Sequence, residues 1–95
     1  MAVLVVAKFN GDPEQLLAGL RQHVDPVMSR VGPELGASWH ALGRGPDGLV
    51  VADVWDSAEA VESASMSAEV QEALERGGLP QPEFAVYELL DHGAL

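Results

Sequence analysis

The chain has 95 residues, 15 of them acidic and five basic, so its formal charge is −10, and it contains no cysteine. This length predicts a single domain, the negative charge disfavours nucleic acid and anionic membranes as partners, and the lack of cysteine excludes disulfides, thiolate nucleophiles and cysteine-based metal sites. No apolar run reaches the roughly 18 residues of a membrane helix, and the start AVLVV leads into a helix cap rather than a cleavage site, so we expect a cytoplasmic protein.

The first predicted elements are a strand and a long helix. Residues 2–9, AVLVVAKF, form an apolar run without alternation, which is typical of a central strand covered on both faces. Asp12–Pro13 is placed to begin a helix, and Pro26 inside the pattern predicts a kink or a restart with Asp25 as a new cap. The helical spacing is carried by Leu16, Leu17, Leu20, Val24, Val27, Met28 and Val31. The Gly32–Pro33 pair predicts the end of this helix.

The middle of the chain predicts a β-hairpin. Residues 35–42 alternate loosely, the stretch GRGPDG supplies a turn, and residues 49–55, LVVADVW, form a second strand that is apolar on both faces.

The last predicted elements are a second helix and a fourth strand. Asp56 is placed as the helix cap with Glu59 completing a capping box, and Ser67 offers a restart. The apolar stripe of this helix is Ala60, Val61, Ala64, Val70, Ala73 and Leu74. Residues 83–90, EFAVYELL, alternate as a closing strand. The order βαββαβ is that of the ferredoxin-like fold.

The predicted sheet has one face that its helices do not reach. The first and third strands are the central pair of this fold, and both are apolar on both faces, yet two helices cover only one face of a four-stranded sheet. A second copy of the same sheet is the simplest cover for the other face, because a two-fold axis brings equal apolar surfaces together. We therefore expect a homodimer.

Four features of the chain resemble a known family. They are Trp-His in the second strand, the Asp47–Gly48 turn, the stretch GLVVADVWDSAEA that enters the second helix, and the loop GGLPQP before the last strand. They are similar to the antibiotic-biosynthesis-monooxygenase-like group of dimeric α/β barrels, and the resemblance covers nearly all of residues 1–95. It implies an α+β, ferredoxin-like domain with a four-stranded antiparallel sheet and two helices on one face. The group includes cofactor-free monooxygenases, haem-degrading enzymes, polyketide cyclases and small proteins without an assigned activity, and the last kind is the most similar to this chain.

The chain also departs from the active members of that family. Haem-degrading relatives have a tryptophan and a histidine where an ungapped comparison from Trp55 places Ala64 and Leu74, so the resemblance predicts no haem. Cofactor-free monooxygenase relatives surround the substrate with an asparagine, a tryptophan and a tyrosine. The asparagine of this chain, Asn10, falls at the end of the first strand, so that triad does not carry over. We expect no cofactor and no metal site.

One aspartate, Asp53, interrupts the third strand and raises the question of its partner. In one hairpin register it lies opposite His40, and Trp55 shares their face, whereas a shift of one residue places Trp39 opposite Asp53. The first register is favoured because it gives a half-buried carboxylate a charge-assisted partner.

Two classes of function follow from this pair. In the first, Asp53 orients His40 as a general base for an acidic proton of an aromatic or polyketide-like substrate, as in a cofactor-independent monooxygenase or a cyclase. The pocket for a flat apolar ligand would be lined by Trp39, Trp55, Met66 and Tyr87. In the second, the pair only fixes the strand register, the aromatic residues belong to the core, and the chain is a non-catalytic ligand-binding or dimerisation domain.

Overall fold

The computed structural model describes residues 1–95 as four strands and two helical segments, of which the first is called the first helical layer and the second the second helical layer. The first helical layer runs from Pro13 to Leu35 and the second from Ala58 to Arg76. The strands are β1 (Val3–Asn10), β2 (Ala37–Gly45), β3 (Gly48–Trp55) and β4 (Glu83–Glu88). The helices are α1 (Pro13–Gly19), α2 (Asp25–Leu35), α3 (Ala58–Ser65) and α4 (Ala68–Arg76), with a π-helical turn at Leu20–Val24 that joins α1 to α2. None of the helices is long and apolar enough to cross a membrane.

The strands form one antiparallel sheet in the order β2-β3-β1-β4, which places β1 and β3 at the centre as predicted. The helices pack on one side of this sheet, which we call the helix face. Two core clusters lie there: Phe9 and Leu49 contact the first helical layer, and Val3, Val5 and Trp55 contact α3. The ferredoxin-like fold class is therefore confirmed.

The opposite side of the sheet, which we call the open face, presents three rows of side chains. In the strand order β2, β3, β1, β4, the aromatic row is Trp39, Val54, Leu4 and Tyr87, the alanine row is Ala41, Ala52, Val6 and Ala85, and the outer row is Gly43, Val50, Lys8 and Glu83. All of these side chains are apolar or absent except Lys8 and Glu83, which oppose each other across β1 and β4. The predicted two-sided apolar character of the central strands is thus present in the structure.

The first helical layer continues through Pro26 instead of restarting there. The backbone N–H of Asp25 donates to the carbonyl of Leu20, five residues back, so the turn before the proline is wider than an α-helical turn. This wider turn absorbs the proline, which lacks an N–H and crowds the carbonyl behind it. The predicted cap at Asp25 is wrong, because Val24 occupies the N-cap position and no side chain bonds to the helix end.

Three helix ends test the predicted caps. The predicted stop at Gly32–Pro33 is wrong: the helix includes Pro33 and ends at Gly36, whose φ of 111° is left-handed and whose N–H reaches the carbonyls of Gly32 and Pro33. The cap of α3 is Ser57, which accepts from the N–H of Ala60 at 3.0 Å, so the predicted cap at Asp56 and its capping box are also wrong. The restart at Ser67 is confirmed, since Ser67 caps α4.

Candidate functional site

The hairpin has the register that the sequence favoured. His40 in β2 pairs with Asp53 in β3, and Trp55 follows on the same side of β3. Because Trp55 belongs to the core beneath α3, all three residues lie on the helix face. This edge of the helix face, His40 with Asp53, is the candidate site.

The two members of the site have different environments. Asp53 is half-buried on a central strand, whereas His40 is exposed on the edge strand. Burial raises the pKa of the Asp53 carboxyl above its ordinary value, while the charge of His40 and the polar N–H of the Trp55 indole act in the opposite direction. Desolvation is the larger effect, so Asp53 holds its proton more strongly than an exposed aspartate does.

His40 and Asp53 are neighbours without being a direct ion pair. The ion pairs of the structure with nitrogen and oxygen within 4.0 Å all join arginine to glutamate. They are Arg30 with Glu69, Arg44 with Glu14 and Arg76 with Glu72. The expected charge-assisted contact between His40 and Asp53 is therefore not formed in the single chain, although the two residues pair across the hairpin. His40 lowers the pKa of Asp53 through the field of its charge, without a direct contact.

The residues predicted to line an apolar pocket do not come together around His40. Trp39 and Tyr87 stand on the open face, on the two outer strands of the sheet. Trp55 is buried in the core, and Met66 is exposed at the end of α3. Within one chain strand alternation places Trp39 and Tyr87 on the face opposite Trp55, and the role of these residues as ligand-lining side chains stays a prediction.

A concave site that the sequence did not reveal lies at the far end of the sheet. It has a volume of about 370 Å³, and its lining residues are Asn10, Gly11, Asp12, Gln15, Leu16, Gly77, Gly78 and Pro80. Asn10 pairs with Gly48, five positions from the pairing of Val5 with Asp53, so this site is roughly 17 Å from the candidate site along β1. A smaller pocket of about 220 Å³ lies at the turn between β2 and β3. No group of three or more histidine, aspartate or glutamate side chains is arranged to hold a metal ion.

The raised pKa of Asp53 predicts how stability depends on pH. Folding raises the pKa of this carboxyl, so its protonated form is favoured in the folded state. Its contribution to the free energy of unfolding is fully present at low pH and is lost as the pH rises through the folded-state pKa. The Asp53→Asn variant keeps the shape and removes the charge, so we expect its Tm at pH 7 to exceed that of the wild type by a few degrees. This difference should shrink as the pH falls below the folded-state pKa. Thermal unfolding followed by circular dichroism from pH 3 to pH 8 measures it.

The matched control for this measurement is Asp47→Asn. Asp47 is exposed in the turn between β2 and β3, so its replacement should leave Tm nearly unchanged at every pH. A lower Tm for Asp53→Asn at pH 7 would show that the carboxylate makes a stabilising contact that outweighs its desolvation.

Comparison with known proteins identifies relatives of the fold. No protein-family model matches the chain, and no curated protein matches its sequence. Among solved structures, Rv0793 of Mycobacterium tuberculosis is 24% identical with a TM-score of 0.70, covering 99% of this chain and 100% of that one. A variant of SnoaB, a cofactor-independent oxygenase of Streptomyces nogalater, is 18% identical with a TM-score of 0.71, covering 96% and 95%. A dimeric ferredoxin-like protein of unknown function from Jannaschia is 10% identical with a TM-score of 0.71, covering 94% and 100%.

These structures bear on the resemblance seen in the sequence. The neighbours include a cofactor-independent oxygenase, candidate antibiotic biosynthesis monooxygenases and dimeric ferredoxin-like proteins, which are the kinds of protein that the motifs suggested. At these identities the likeness establishes the fold. The resemblance is confirmed at that level, and the chemistry has to be argued from the residues of this chain.

Proposed function

We propose that the chain forms a homodimeric α/β barrel that binds a small aromatic or polyketide-like molecule and acts on it without a cofactor, as a monooxygenase or a cyclase. The observation that carries this proposal is the pairing of an exposed histidine, His40, with a half-buried carboxylate, Asp53, on the helix face. The shared fold with SnoaB, described as a cofactor-independent oxygenase, supports the reaction class. The dimeric ferredoxin-like neighbours support the homodimer.

The chemistry proposed for the site is proton abstraction. A ring nitrogen of His40 accepts a proton from a phenol or an enol of the substrate, which leaves an electron-rich anion. In a monooxygenase this anion is oxidised by O2: one oxygen atom stays on the ring carbon as a carbonyl, and the other leaves as water with the two hydrogens that the substrate loses. In a cyclase the enolate carbon attacks a carbonyl carbon of the same molecule, and the carbonyl oxygen takes the electron pair and the proton back from His40. The negative charge of Asp53 stabilises the imidazolium that the transfer creates. Exposure of His40 leaves its ring accessible to a substrate, whereas a buried histidine would need a channel.

A second candidate function is ligand binding without catalysis. The observation that favours it is the polar pocket of about 370 Å³ at the other end of the sheet, where Asn10 and Gln15 offer amide groups to a ligand. In this case His40 and Asp53 only mark the strand register.

A ligand screen followed by NMR mapping separates the two candidates. We expect polyhydroxylated aromatic compounds to raise Tm, since a ligand at 100 times its Kd stabilises the folded state by about 2.7 kcal/mol. In ¹⁵N-resolved spectra the bound compound should perturb His40, Asp53 and their strand neighbours. Fatty acids of similar size serve as the control class. Perturbations confined to the Asn10–Gln15 corner would replace the first candidate by the second.

A further inference from the structure

Val54 is buried on a side of the sheet that the helices do not cover. It belongs to the aromatic row of the open face, and it lies in neither of the core clusters that contact the helices. It is 3% exposed, whereas Val50, on the same face of the same strand, is 38% exposed. A cover therefore lies over the aromatic row and does not extend to the outer row.

The C-terminal tail, residues 89–95, supplies this cover together with the Trp39 ring. The tail follows β4 without regular secondary structure, and the N–H of Leu89 donates to the carbonyl of Ala2, just before β1, at 3.1 Å. Three residues later, His92 lies against Trp39 of β2, with 6.2 Å between the ring centroids and 68° between the ring planes. The tail thus leaves one edge strand of the sheet and reaches the other.

The tail is extended across the strands. The strand order β2-β3-β1-β4 places three strand spacings between β4 and β2, a distance of about 14 Å. The three residues from Leu89 to His92 span about 10–11 Å when the chain is fully extended, and the contact between the two rings covers the remaining distance. This part of the tail therefore has no slack, and it passes over β1 and β3 at the level of the aromatic row.

The tail is held in place by few contacts. The bond at Leu89 is the one backbone hydrogen bond that residues 89–95 make, and the ion pairs lie elsewhere in the chain. Leu90 is 87% exposed and Leu95 is fully exposed, so these two apolar side chains gain little burial. Ordering the tail also costs chain entropy. A segment with so few buried contacts opens locally at a small cost in free energy.

We propose that the C-terminal tail is a strap that covers the aromatic row in the single chain and is displaced when a second copy covers the open face. This inference rests on the homodimer of the proposed function and adds a step that opposes its assembly. The tail and a second sheet compete for one place, because the Trp39 ring and the Val54 side chain cannot pack against both at once. The strap is thus an autoinhibitory contact whose release sets the apparent Kd of the homodimer.

The effect of the strap on assembly is squared, because each homodimer displaces two straps. When the binding-competent state of a chain is only partly populated, the apparent Kd rises by the inverse of that population. A strap that is open about one third of the time in each chain therefore raises the Kd of the homodimer about tenfold. This degree of closure fits a tail that is held by one hydrogen bond and one ring contact.

Removal of residues 90–95 tests the displacement of the strap. We expect the truncated chain to dimerise with a Kd about tenfold lower than that of the wild type. Sedimentation velocity over a dilution series measures the Kd, and circular dichroism verifies that the truncated chain is folded. His92→Ala keeps the length of the tail and removes the ring contact, so it should lower the Kd by a smaller factor. The matched control is Leu90→Ala, whose side chain is 87% exposed in the same tail and should leave the Kd unchanged.

Acrylamide quenching of tryptophan fluorescence measures the closed strap in the free chain, at the lowest concentrations of the dilution series. Trp55 is 5% exposed, so the quencher acts chiefly on Trp39. Removal of the tail should raise the quenching constant by up to about twofold, because the Trp39 side chain is 45% exposed beneath the strap.

Two results would overturn the strap and leave the homodimer standing. One is equal quenching in the truncated and wild-type chains, and the other is a Kd that is unchanged or higher after truncation. If the wild-type and truncated chains are both monomeric at micromolar concentration, the homodimer itself is wrong and the displacement step falls with it.

Discussion

The Gly19→Ala variant is expected to unfold at a Tm at least about 10 °C below that of the wild type, a loss of about 3 kcal/mol or more. Gly19 ends α1, and a Cβ built there would lie 1.9 Å from the carbonyl oxygen of Gly77, just beyond α4. The obstacle is backbone, so no rotamer change relieves it, and the two helical layers would have to separate. Alanine normally stabilises a helix by about 1 kcal/mol relative to glycine, so the predicted sign is the reverse of the helix-propensity effect.

Gly32→Ala is the control that isolates this close approach. Gly32 is also a buried glycine within a helix, but a Cβ there would meet Ala37 Cβ and Met28 Cε at 3.6 Å, which is ordinary contact. We expect its Tm to lie between that of the wild type and a few degrees above it, because only the higher helix propensity of alanine remains. Chemical denaturation gives the same comparison as a free energy of unfolding. Equal losses in the two variants would mean that general crowding, and not the contact with Gly77, decides the outcome.

The topology was predictable because its signals are distributed over many residues. An apolar run without alternation identifies a central strand whatever its exact ends, and the residues 49–55 share that property with β1. The helix ends were less predictable because they depend on single residues. Asp56 and Ser57 are both favourable N-cap residues, and the sequence does not distinguish them. In the structure Ser57 has the extended backbone of an N-cap and accepts from the N–H of Ala60. The π-helical turn before Pro26 is a local response to the proline that hydrophobic spacing does not encode.

The sequence predicted the hairpin register that pairs His40 with Asp53, but it did not predict that the two side chains stay out of direct contact. A half-buried Asp53 favours a polar residue in the opposite position of the hairpin, and His40 is that residue. The pairing pattern does not determine the rotamer of an exposed side chain on an edge strand. The separation of Trp39 from His40 was already present in the sequence, because the two residues are consecutive and consecutive strand residues face opposite ways. The pocket at Asn10 needs Gly77 and Gly78, which approach it only through the packing of helices.

The His40→Gln variant is expected to lose turnover by a factor of about 10²–10⁴ toward any substrate that the ligand screen identifies. Glutamine keeps hydrogen-bonding capacity and removes the group that accepts the proton, so Kd for the ligand should change far less than kcat. His23→Gln is the matched control, because His23 lies in the π-helical turn and not in the candidate site, and its kcat should equal that of the wild type. Stopped-flow or absorbance assays give kcat, and isothermal titration gives the Kd.

The Asp53→Asn variant separates the effect of this carboxylate on stability from its effect on turnover. Its loss of charge should raise Tm at pH 7, as the desolvated carboxylate is removed, and should lower kcat, as the imidazolium of His40 loses its negative neighbour. A structural role for Asp53 would move the two measurements in the same direction, whereas a functional role moves them in opposite directions. Since the carboxylate acts through its field without a direct contact, we expect a decrease in kcat of about tenfold, smaller than that of His40→Gln. A variant that is more stable and fully active would leave Asp53 as a determinant of the strand register alone.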